Sequence, residues 1–104
     1  MYHVRVRVIR FVDDAWPGWV EAHLHEVDDS VVSLIDKVPV LDAGGRLAAG
    51  GELPVELELS CDLLDRTVDP AGRPTAVIRL HHGVADQAGR NVFRVAEPDL
   101  RGQS

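Results

Sequence analysis

The sequence predicts an all-β domain, a small antiparallel barrel or a compact two-sheet sandwich of about six strands, and three observations carry that expectation. Apolar and polar residues alternate with a period of two, most cleanly at Val55, Leu57, Leu59, Cys61 and Leu63 against Glu56, Glu58, Ser60 and Asp62. Residues that leave regular structure, such as Asp28-Asp29 and Asp69-Pro70-Ala71-Gly72-Arg73, fall between the alternating segments. No stretch carries the three- and four-residue apolar spacing of an amphipathic helix. Closure into a barrel is preferred to a sandwich because it removes the edges that invite aggregation.

Residues 2–12 form the first strand, with Val4, Val6 and Val8 on one face and His3, Arg5 and Arg7 on the other. At Val8-Ile9 the pattern slips by one, as a β-bulge makes it slip, which turns Ile9 and Phe11 toward the core and leaves the arginine pair to solvent. Asp13 to Gly18 is a connection containing Trp16, Pro17 and Gly18. From Gly18 to Val27, Val20, Ala22 and Leu24 face one way and Glu21, His23 and His25 the other, with Trp19 on the outer parity. Asp28-Asp29 stands where a two-residue turn joins this strand to Ser30–Val38 in a hairpin, and Pro39 limits the second strand. The two indoles are read either as a plug over a barrel end or as an exposed patch that binds a partner.

Pro39–Leu53 carries two glycine pairs and reads as a loop with one helical turn at Arg46–Ala49; it lacks the Gly-Lys-Ser/Thr ending of a phosphate-binding loop. Pro54–Leu64 is a strand that Asp65–Val68 continues or ends, and the turn at Asp69–Arg73 joins it to Thr75–His82 in a second hairpin. Gly83–Arg90 is loop. Asn91–Ala96 is the last strand, offering Val92, Phe93 and Val95 to the core, and Glu97-Pro98 ends it, so that residues 97–104 form a fraying tail.

At 104 residues and 45% hydrophobic content the chain is one domain, 1–104, large enough to bury a core without a staple. A single cysteine excludes an internal disulfide framework, and the strand phase puts Cys61 on the buried face as a core thiol. Val alternates with Arg at the N-terminus, where a signal peptide has an unbroken apolar run, and no stretch has the length of a membrane span, so a cytoplasmic protein without membrane partners is expected. The formal charge of −6 argues against nucleic acid and suits a basic protein partner.

No catalytic set emerges: the serines lie in plain strand contexts, and His81 or His82 beside Asp86 has no nucleophile to serve. The candidate partner-binding residues are Trp16, Trp19, Glu56, Glu58 and Asp62. His23 and His25, two apart on one strand face with Cα atoms about 6.5–7 Å apart, are the candidate ligands of a divalent metal, the one cofactor the sequence offers. His81 or His82 would complete that site only if the fifth strand lay beside the second. The leading expectation is a non-enzymatic protein-binding module, immunity-like or adaptor; the alternative is a metal- or small-ligand-binding barrel using His23 and His25, and homo-oligomerisation through an edge strand is a third.

Val4 to Phe11, Trp19-Val20-Glu21 after an acidic turn, Asp36-Lys37-Val38-Pro39, and Phe93-Arg94-Val95 with Leu100 resemble the shared features of a group of short, uncharacterised bacterial proteins. The resemblance spans about half the chain and implies a compact β domain with no transferable site. In general character, though in no motif, the chain is also similar to immunity proteins of bacterial toxin systems.

Overall fold

A computed structural model describes residues 1–13, 15, 18–41 and 52–102. Its strands are β1 (Tyr2–Asp13), β2 (Trp19–His25), β3 (Val31–Lys37), β4 (Val55–Val68), β5 (Pro74–Leu80), β6 (Val92–Ala96) and β7 (Leu100–Gly102), with one helical turn, α1 (Val38–Leu41), after β3. All pair antiparallel in one sheet of order β3-β2-β1-β4-β5-β6, and β7 also pairs with β1. The sheet curls into a half-barrel; the fold is all-β, with one curled sheet in place of the sandwich.

Period-two alternation builds the concave side. Val4, Val6 and Val8 of β1, Val20, Ala22 and Leu24 of β2, Leu57, Leu59 and Cys61 of β4, and Ala76, Ile78 and Leu80 of β5 are all buried. Phe93 and Val95 of β6 complete the core, while Val92 on the opposite parity stays exposed. The slip at Val8-Ile9 is a bulge: Val8 pairs with Ala22 and Arg10 with Glu21, leaving Ile9 unopposed, and Phe11 packs against the core beyond it. Further bulges fall at Val12 in β1 and Leu64 in β4, so the long strands bend and the sheet curls.

Three differences from the sequence reading have local causes. The β2–β3 turn is longer than two residues: Glu26 N–H donates to the Ser30 carbonyl (2.8 Å) and Asp29 N–H to the Glu26 carbonyl (3.0 Å), with Asp29 left-handed at φ 69°. This is a three-residue loop with a bulge, a geometry that Asp tolerates. Helix forms at Val38–Leu41, where Pro39 presets the first turn; the turn expected at Arg46–Ala49 lies outside the described residues. The expected tail is structured through Gly102, because Glu97–Asp99 form a 3-10 turn that delivers β7 onto Tyr2–Val4.

The two edges of the sheet are drawn together by the β2–β3 hairpin. Val27 N–H donates to the Arg94 carbonyl (2.9 Å), and Leu34 forms a bridge with Asp86. Glu26 accepts from the Arg90 guanidinium at 2.7 Å and from Arg94 N–H at 3.3 Å, so one carboxylate ties this hairpin to β6 and the loop before it.

Candidate functional site

Register partners on neighbouring strands project from the same face, so the ladder fixes the outer, convex surface row by row. Across β1, β2 and β3 the rows are Asp13–Trp19–Lys37, Arg10–Glu21–Ile35 and Arg7–His23–Ser33, ending with His25 beside Val31. On the other side of β1, Arg7 stands opposite Glu56 and Arg5 opposite Glu58.

Glu21 is the hub of this surface. Its carboxylate accepts from Ser33 Oγ at 2.6 Å and from Arg10 Nε at 2.6 Å, and lies 3.2 Å from His23 Nε2. These hydrogen bonds, that from Ser33 foremost and that from Arg10 next, pull the carboxyl down to about 2 against the penalty of burial. The three residue types invite comparison with a hydrolytic triad, but the order is wrong. In a triad the imidazole stands between hydroxyl and carboxylate and takes the hydroxyl proton. Here Ser33 donates directly to the carboxylate and the imidazole stands outside that bond, so the cluster is a hydrogen-bonded brace across β1, β2 and β3 and not the relay of a triad.

A cleft of about 290 Å³ opens beside this hub, lined by Arg5, Arg7, His23, His25, Glu56 and Asp99 over Val6. It exists because β7 and β2 share one edge of β1 without meeting: β7 pairs with Tyr2–Val4 and the pairing of β2 stops at Arg7, leaving Arg5 and Val6 without a ladder partner on that side. Arg5 at the rim donates to Asp99 at 2.6 Å, whereas among the described residues the Arg7 guanidinium has no ion pair or hydrogen bond.

The residues singled out from sequence fall into separate places. Trp16 lies outside the described residues. Trp19 is half-buried at the far end of β2, with the Lys37 ammonium 5.6 Å from its ring centre. Glu56, Glu58 and Asp62 occupy the outer face of β4, as the alternation predicts, but each faces cationic side chains. Arg101 lies 3.5 Å from Glu58, and Asp62 accepts from Arg79 (3.2 Å) while lying 2.8 Å from His81. His81 and then Arg79 hold the Asp62 carboxyl below its ordinary range. Trp19 and the β4 acids are therefore two surfaces, roughly 20 Å apart along β1 at the rise of an extended strand.

His23 and His25 do share one face, with Glu21 and the cleft arginines as neighbours; no group of three metal-ligating side chains gathers among the described residues. β5 lies three places from β2 in the sheet, so His81 and His82 belong to another region, and His81 pairs with Asp62, not Asp86. Cys61 is buried, and desolvation with the neighbouring Asp62 charge pushes its thiol up to about 11.

No protein-family model, curated protein or solved structure matches this chain. The site stands on its own geometry.

Two features escaped sequence reading. The gap at Arg5–Val6 depends on where two distant strands stop, and nothing local marks it. The other had a signal: Asp69-Pro70-Ala71-Gly72-Arg73 and Asp86-Gln87-Ala88-Gly89-Arg90 are the same five-residue turn, Asp-x-Ala-Gly-Arg. In each, Asp N–H donates to the Arg carbonyl, the left-handed Gly donates back to the Asp carbonyl, and the Asp carboxylate accepts from the Arg backbone at 2.8 Å.

Proposed function

We propose that this protein is a non-enzymatic binding module, immunity-like or adaptor, that holds a protein partner in the cytoplasm through the Trp19 end of its outer sheet face. The observation that carries the reading is the row Asp13–Trp19–Lys37: a half-exposed indole beside a carboxylate that has no ion pair among the described residues. The acids of β4 differ, since Glu58 and Asp62 carry arginines of their own chain and have less charge to offer a partner.

An amphipathic ring that loses water on contact, beside a carboxylate that accepts the Ala15 backbone N–H and has no ion pair among the described residues, has the composition of an interface hot spot. The net charge of −6 favours encounter with a basic surface. Affinity capture from the host with the wild type, Trp19→Ala/Asp13→Asn and Glu58→Gln, each followed by mass spectrometry, tests it. A stoichiometric basic protein retained by wild type and Glu58→Gln but lost with the Trp19 variant supports the reading. A partner retained equally by all three refutes this placement.

A further inference from the structure

We propose that the cleft between the start of β7 and the end of β2 is an oxyanion site that takes a phosphate group, with Arg7, His23 and His25 as its donors. This goes beyond the partner surface, which lies at the opposite end of β2.

The break in the sheet leaves Arg5 and Val6 without a ladder partner on one side of β1, and side chains of β1, β2 and β4 wall the cleft over the buried Val6. Arg7 projects from the next position of β1, and His23 and His25 from one face of β2. Donors thus arrive from two strands and several directions, which suits a tetrahedral oxyanion better than a planar carboxylate gripped by a single fork.

The sign of the ligand follows from the groups that remain unsatisfied. Asp99 is held by Arg5 at 2.6 Å, so that pair contributes little net charge. Arg7 is free of partners among the described residues, cannot ligate a metal and keeps its charge at every relevant pH. Glu21 already engages His23 Nε2 at 3.2 Å, so His23 offers a ligand its Nδ1 and His25 offers its whole ring; an imidazole serves a cation with a lone pair or an anion with N–H, and the guanidinium beside them favours the anion. Glu56, the cross-strand partner of Arg7 and part of the same cleft wall, opposes an anion there, so its removal belongs to the test.

Titration with inorganic phosphate, followed in 1H–15N spectra, is expected to shift the Val6, Arg7 and His25 amides saturably, with a Kd of about 1–10 mM. Arg7→Gln should weaken binding about tenfold or more and Glu56→Gln tighten it about threefold. Both positions are exposed, and His25→Gln provides an independent loss-of-donor variant. Glycerol phosphate separates the sources: affinity about tenfold above that of the free ion marks an ester-borne phosphate, and equal affinity marks the ion itself, the site standing in either case. No saturable shift up to about 50 mM, or shifts unaltered by both Arg7→Gln and His25→Gln, overturns the proposal. So does zinc moving the same signals where phosphate does not, which would assign the histidines to a metal.

Discussion

Replacing Glu21 with Gln measures how much the hub on the outer face contributes to the fold. The carboxylate accepts from Ser33 and Arg10 at 2.6 Å each, and its side chain is 13% exposed. Gln keeps one acceptor oxygen and turns an NH2 group toward the Arg10 guanidinium or the Ser33 hydroxyl. In the folded chain the carboxyl titrates near 2, against an ordinary 4.5 when unfolded. A depressed folded value means that the stabilisation is fully present above about pH 4.5 and is lost as the pH falls toward 2. The whole shift corresponds to about 3 kcal/mol, which solvent screening at this near-surface cluster reduces to about 1–2 kcal/mol. Urea denaturation of both proteins at several pH values between 7 and 2.5 is the assay. The expected result is a deficit of about 1–2 kcal/mol at neutral pH, a Tm lower by about 5–15 °C, and a gap that narrows below pH 4.5. A gap that stays constant from pH 7 to 2.5, or none at pH 7, would refute the reasoning.

Other expectations follow from the closure and the turns. Glu26→Gln removes the charge that meets Arg90 at 2.7 Å; a cost of about 1–2 kcal/mol is expected, with faster hydrogen exchange at Val27, and unchanged protection there would contradict the closure role. Gly72→Ala and Gly89→Ala should each cost about 1 kcal/mol in denaturation, from backbone conformation alone, since both have φ 84° and nothing within 4 Å of an added Cβ. Conversely, Asp29→Gly relieves a left-handed non-glycine residue and should leave stability unchanged or raise it by up to about 1 kcal/mol. Cys61, buried with its thiol raised to about 11, should react with a thiol reagent at neutral pH only at the rate of opening; rapid modification of native protein would show that the β4 core is accessible.

What the sequence made legible was local. The inward valines of β1, the alternation of β4 and the bulge at Ile9 follow from parity, which any strand with one buried face must keep. Turn residues located both hairpins, but the turn at Asp28-Asp29 gained a residue because a left-handed Asp29 completes a three-residue loop. The tail was misread for a different reason. Leu100–Gly102 carries little strand signal of its own and is ordered by the free edge of β1, with Tyr2 opposite Gly102. The candidate site was half visible for the same reason. Parity put Trp19, His23, His25 and the β4 acids on the outer face, yet only the register shows that Glu58 and Asp62 meet arginines while Asp13 does not. It also takes the register to bring Arg7, sixteen residues before His23, beside it.

The central claim is that the Trp19 row, and not the β4 acids, meets a partner. Calorimetric titration of the captured partner into wild type, Trp19→Ala and Glu58→Gln tests it most directly. The account predicts about a 30-fold or greater loss of affinity for Trp19→Ala, the scale of a hot-spot residue, and less than about a threefold change for Glu58→Gln. The reverse pattern would place the interface on β4 and contradict the account.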